Sequence, residues 1–128
     1  MTHPYHYRLE VLAGGLQWLS ENQRLFWAVR SQRTRGWRLA AAWSAKQEQL
    51  PRLNYARIVC ELRFTDSRKR DPGNWAPTAK ACVDGLVDAG VFEDDNHRHV
   101  LGPDMRLGPK VPASFRGVHL LIYPLEKT

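Results

Sequence analysis

The 128 residues suffice for one compact domain with its own core, spanning 1–128, and are too few for two. With 43% apolar and 25% charged residues the composition is ordinary for a globular chain, which excludes disordered and fibrous classes. Nineteen Lys and Arg against thirteen Asp and Glu leave a formal charge of +6, which favours a polyanionic partner, either nucleic acid or an acidic membrane surface.

No run approaches the roughly 20 apolar residues of a spanning helix, and the opening MTHPYHYRLE lacks the apolar stretch of a signal peptide. A soluble, cytoplasmic protein without a membrane partner is expected. Cys60 and Cys82 have no second pair with which to build a zinc site, so both are expected as buried, reduced thiols.

Taken in chain order, Tyr7 to Ala13 reads as a strand: Tyr7, Leu9 and Val11 alternate with Arg8 and Glu10 before Gly14 and Gly15 break the pattern. Ser20 with Gln23 has the form of a capping box. The basic run Arg30, Arg33, Arg35 and Arg38, with Gly36 inside it, reads as a mobile loop before a helix near Trp37 to Gln49 that Pro51 ends. Trp18, Trp27, Trp37 and Trp43 crowd this third of the chain and are expected to pack in the core, with stacking on an unpaired base as the alternative that nothing in the sequence supports.

Ala56 to Phe64 is the clearest strand, with Ile58, Cys60, Leu62 and Phe64 on one face and Arg57, Glu61 and Arg63 on the other. TDSRKRDPGN is charged and turn-rich, a loop leaving the end of that strand. From Pro77, Ala79, Cys82, Val83, Leu86 and Val87 recur at helical spacing, Lys80, Asp84 and Asp88 form the polar stripe, and Gly90 fits a C-terminal cap. His97 to Leu107 reads as a weak strand broken at Gly102 and Pro103, and Val118 to Tyr123 as a good final strand. The order β-α-β-α-β-β implies an α+β fold, a small mixed sheet carrying its helices on one face.

Carboxylates from two places converge in such a fold: Asp66 and Asp71 after the central strand, and Glu93, Asp94 and Asp95 after the helix that returns from it. Gathered carboxylates repel one another unless something positive sits between them, and a hard divalent cation, Mg²⁺ or Mn²⁺, is the usual solution. An acid-rich turn in isolation is more often merely solvated. Here, however, Arg68, Lys69 and Arg70 directly precede Asp71, and a basic triplet beside an acidic site suits a phosphate backbone. His97 and His99 follow the acidic turn and are candidates for a general base or a ligand, though an exposed edge explains them as well; Arg106 and Lys110 are candidates for phosphate contact.

The stretch RKRDPGNWAPTAKACVDGLVDAGVFEDD resembles the RusA family of Holliday-junction resolvases, in which a basic run is followed by D-x-D-N, K-x-x-x-D-A-L, A-G and a D-D pair. The similarity covers Ile58 to Asp95 and extends to Ser20 and Asn22, which fit the family's S-x-N loop. It implies a RusA-like fold, a homodimer, and metal-dependent cleavage of four-way DNA junctions by paired nicks, in the manner of proteins common in phage genomes. By the same resemblance Asp71, Lys80 and Asp95 are the catalytic positions, and Asp71, Asp84, Asp94 and Asp95 are the candidate metal ligands. Arg30, Arg33, Arg35, Arg68, Lys69, Arg70 and Asn74 would meet DNA. Lys80 lies about one helical turn further from the D-x-D-N position than the family pattern has it. Gly73 stands where the family has its second Asp, with Asp66, Asp84 and Asp94 as candidate replacements. Two functions follow: a structure-selective endonuclease, or a branched-DNA-binding protein that has lost cleavage with that acid.

Overall fold

The computed structural model describes residues 6–126; residues 1–5, the start of the opening segment discussed above, and residues 127–128 lie outside them. The elements are β1 (Tyr7–Leu12), α1 (Trp27–Gln47), β2 (Ala56–Arg63), α2 (Ala76–Asp88), β3 (Val100–Leu107) and β4 (Gly117–Pro124), with 3₁₀ turns at Pro72–Trp75 and Ala113–Phe115. The strands form one sheet in the order β1-β4-β2-β3: β4 is antiparallel to both β1 and β2, and β3 is parallel to β2. The described residues thus form a mixed α+β fold of four strands and two helices.

Alternation along the strands decides which sheet face is covered. Leu9, Val11, Ile58, Cys60, Leu62, Val118, Leu120 and Ile122 form one buried cluster with Trp37, Ala41 and Ala45 of α1 and Ala79, Cys82, Val83 and Leu86 of α2. Arg57, Glu61, Arg63 and His119 occupy the alternate positions and are only half-buried. Both cysteines are free and buried. Burial pushes the Cys60 thiol up to about 12 and raises that of Cys82 as well, as expected of inert packing groups.

The basic run is not a loop. Arg30 to Arg38 is continuous helix, and α1 begins at Trp27 rather than near Trp37. Gly36 does not break it because its missing side chain serves tertiary packing: a Cβ there would lie 2.6 Å from Leu16 Cδ2, in the loop that closes over the helix. A second glycine sets the helix pair. A Cβ on Gly85 of α2 would stand 2.3 Å from the Arg38 carbonyl oxygen and 2.9 Å from the Ala41 Cβ, so α1 and α2 approach backbone to backbone. Arg38 and Asp88 close the outer edge of this contact with two bonds of 2.5 and 2.8 Å. This pairing holds the Asp88 carboxyl below its usual range.

Both helices end in the left-handed turn that recovers their last carbonyls. At α1, Gln49 takes φ 54° and the Leu50 N–H reaches the Ala45 carbonyl at 3.0 Å; at α2, Gly90 takes φ 85° and the Val91 N–H reaches Leu86 at 2.9 Å. The capping-box residues close a turn instead of starting a helix: the Ser20 N–H donates to Gln23 Oε1 at 3.1 Å, well before α1 begins. Gly102 and Pro103 do not break β3. They lie where Arg57 pairs with Leu101 and Val59 with Asp104, so three steps on β3 oppose two on β2, a bulge inside one strand that starts at Val100. The tryptophans divide. Trp37 is buried and stacked by Trp18, and Trp75 meets Phe64 edge-on, but Trp27 and Trp43 lie outside the core, 82% and 64% exposed.

Candidate functional site

The candidate site is built around the first turns of α2. Asp71 caps the 3₁₀ turn that leads into the helix, its Oδ1 accepting the Gly73 N–H at 3.2 Å. Pro72 follows, where a missing N–H costs nothing. The loop before α1 is fastened to this start at two points. The Asn74 carbonyl accepts the Glu21 N–H at 2.8 Å, and the buried Thr78 hydroxyl donates to the Leu19 carbonyl at 2.7 Å while accepting the Leu19 N–H at 3.0 Å. Thr78 is thereby a buried polar group with its hydrogen bonds satisfied.

At the other end of α2 the turn at Gly90 reverses the chain, and the Leu53 N–H bonds the Val91 carbonyl at 2.7 Å, holding the returning segment in place. That segment carries Asp95 back to Lys80. The Lys80 ammonium contacts Asp95 Oδ2 and lies 3.1 Å from Asp84 Oδ1, one turn further along the helix. Two carboxylates that would repel each other are held around one positive charge. The Lys80 side chain is mostly exposed and the two carboxylates are partly so, which leaves the groups accessible to solvent.

The remaining acids are engaged locally. Asp94 accepts the Asp95 N–H at 2.7 Å and the Asn96 side-chain amide at 3.1 Å. Asp66 accepts the Arg68 N–H at 3.1 Å and pairs with Arg70 at 2.8 Å; the backbone bond first, then the two guanidinium groups, hold its carboxyl below the usual range. The structure therefore brings Lys80, Asp84 and Asp95 together and leaves Asp66, Asp71 and Asp94 each in its own turn.

The basic candidates also sort themselves. Arg70 folds back over the Phe64 ring, 3.8 Å from its centroid, and its side chain is only 12% exposed. Arg68 and Lys69 project outward, Arg35 is exposed on α1, Arg30 is half-buried, and Arg33 turns toward the Trp18 carbonyl at 3.4 Å. His99 places Nδ1 2.9 Å from the Asn54 carbonyl, a contact that makes that nitrogen the donor, and faces Glu93 with Nε2 at 3.7 Å. His97, Arg106 and Lys110 are exposed.

Among the described residues no three His, Cys, Asp or Glu side chains gather as a set able to hold a metal ion. Mg²⁺ bound with a phosphate substrate commonly takes only one or two protein carboxylates, the rest of its shell being water and phosphate oxygen. Asp84 and Asp95 around a single cationic group fit that sparse ligation; Asp66 and Asp94, in their present bonds, do not join it. No helix among the described residues is long and apolar enough to cross a membrane. The chain matches no model of a known protein family and no curated protein.

Proposed function

We propose that this chain is a RusA-like, structure-selective endodeoxyribonuclease acting in the cytoplasm as a homodimer, with branched DNA as its substrate and Mg²⁺ or Mn²⁺ as its cofactor. The observation that carries the reading is Lys80 held between Asp84 and Asp95, at the end of α2 that the Asp71 turn and the outward-facing Arg68 and Lys69 lead into. Arg68 and Lys69 would draw the phosphate backbone to this end by charge, without reading bases. Lys80, on a flexible stem and partly exposed, would leave its carboxylates for a phosphate oxygen and stabilise the charge that grows there during cleavage. Asp95 and Asp84, released, would hold the metal, and Asp71, exposed in the turn before α2, would be the further acid on this reading. The metal, when bound, supplies an activated water and stabilises the leaving oxygen. A two-fold axis would then set one such site on each of two strands of a junction.

The test is incubation with synthetic four-way, flap and duplex DNAs, with and without Mg²⁺ or Mn²⁺. Metal-dependent nicking of the junction that disappears in Asp71→Asn and Asp95→Asn while junction binding persists is the expected result; full activity in either variant would place the chemistry elsewhere. A second reading has its own observation: Lys80 already neutralises Asp84 and Asp95, and Gly73 offers no carboxylate. On that reading the protein binds branched DNA without cutting it, and titration with metal would change neither binding nor the DNA.

A further inference from the structure

Outside that site the most unusual surface is the start of α1. Phe26, its N-cap, and Trp27, its first residue, are 84% and 82% exposed. Two adjacent rings, each able to bury on the order of 150–250 Å² when covered, are left in water. The stretch of chain that carries them is basic. Between Asn22 and Gln47 the chain carries Arg24, Arg30, Arg33, Arg35, Arg38 and Lys46 and no Asp or Glu, and of these Arg38 is answered by Asp88 from α2. The pair is also tied to the candidate site, because the loop that bears it is bonded to the Asp71–Asn74 turn through Glu21 and to α2 through Leu19 and Thr78. Phe26 follows Glu21 in that loop, so chain length alone keeps it within about 18 Å of Glu21, the residue bonded to the turn.

We infer that Phe26 and Trp27 form a stacking platform for unpaired bases beside the branch point of a DNA substrate, with Arg24 and Arg30 on the flanking phosphates. The two features together select the occupant. Aromatic faces accept any base, since every base has a π-face, and the excess of arginine over acid along this stretch favours the polyanion that carries those bases over an apolar protein surface. The inference deepens the proposed function and rests on its assumption that DNA is the partner. It adds the part of the DNA that is held: the opened strand near the scissile phosphate, not the duplex arms.

The experiment uses the full chain in equilibrium binding to three labelled DNAs: a fork with unpaired arms, a single-stranded oligonucleotide, and a blunt duplex. Trp27→Ala and Phe26→Ala should each weaken fork and single-strand binding by about 5- to 150-fold, the range for loss of one stacked base, and leave duplex binding unchanged. Trp27→Tyr should restore most of it. Trp43→Ala, an exposed tryptophan in the last turns of the same helix, should change nothing. Because both rings are solvent-exposed, thermal melts should match the parent protein, so a loss of binding is not a loss of fold. Unchanged fork binding in both alanine variants, or an equal loss on duplex, overturns the platform while leaving DNA binding intact. A parent protein that binds none of the three DNAs overturns the proposed function along with it. If Trp27→Ala instead turns a dimer into a monomer in light scattering, the rings seal a contact between copies and the platform is wrong.

Discussion

Gly85→Ala should destabilise the protein even though alanine is the better helix former. In an open helix the exchange gains about 1 kcal/mol from propensity alone. At Gly85 the new methyl would lie 2.3 Å from the Arg38 carbonyl oxygen and 3.0 Å from the Ala42 nitrogen, both backbone atoms that move only if α1 moves. Overpacking of this kind costs roughly 1–3 kcal/mol and more where backbone must shift, so the net effect is a loss of up to about 2 kcal/mol. For a chain of this size that lowers Tm by roughly 5–10 °C. Gly36→Ala is the matched comparison. It is also helical, but its methyl would meet the tip of Leu16, a side chain that can rotate away, so the propensity gain should survive and the variant should be neutral or slightly more stable. Thermal melts of the three proteins decide it. A Gly85→Ala protein as stable as the parent would mean that the two helices are not in backbone contact at this residue.

The other predictions concern charge. Junction affinity should fall steeply with salt, with a log–log slope of about −0.9 per phosphate neutralised; an affinity flat from low to physiological salt would remove the backbone-charge argument. His119 is half-buried on the open sheet face beside Arg63, Arg8 and Glu10, and its Nδ1 has no hydrogen-bond partner among the described residues. Burial first, then Arg63, lowers its pKa below 6.5, so the fold prefers the neutral ring. Its contribution is complete above 6.5, where both states are neutral, and is lost as pH falls through the folded value, because the unfolded chain takes the proton first. Tm should therefore drop between pH 7 and 5, and His119→Gln should flatten the drop; parallel curves would refute the assignment. Gly73→Asp should fold, since Gly73 is not in a left-handed conformation and a Cβ there meets only Asp71 Oδ1 at 3.5 Å. With Asp84 already beside Asp95 it should add little to metal-dependent cleavage, and a large gain would show the site short of a ligand.

What could be read before the structure followed from periodicity. β2, β4 and α2 each carry a pattern that packing then uses directly: alternation over Ile58, Cys60 and Leu62, and helical spacing over Ala79, Cys82, Val83 and Leu86. The half of α1 from Trp37 onward is legible, but the half before it is not, because the helix buries only Trp37 and three alanines, all beyond Gly36, and because Gly36 looks like a breaker until Leu16 is seen against it. The pair Lys80 and Asp84 follows from helix geometry, whereas the meeting of Lys80 with Asp95 depends on a chain reversal held by Leu53, which sequence distance does not encode. Arg68, Lys69 and Arg70 are alike as letters. Asp66 pairs with both Arg68 and Arg70, and only the Phe64 ring separates the one that packs from the two that project. Likewise no residue-type rule distinguishes Trp37 from Trp27.

The position of β4 bears on how the chain comes to be folded. The last strand in sequence is an interior strand of the sheet, paired with β1 on one side and β2 on the other. Until residues 117–124 have been synthesised, β1 lacks the one sheet partner it has among the described residues, and the Ile58–Cys60–Leu62 strand has an open edge. During translation the nascent chain therefore has to hold α1 and α2 against an incomplete sheet, and the cooperative step waits for its C-terminal portion. Pairings this distant in sequence favour slow folding. Deletion of β4 should accordingly leave no residual native core rather than a smaller version of the same fold, whereas loss of the opposite edge strand, β3, would remove a single pairing.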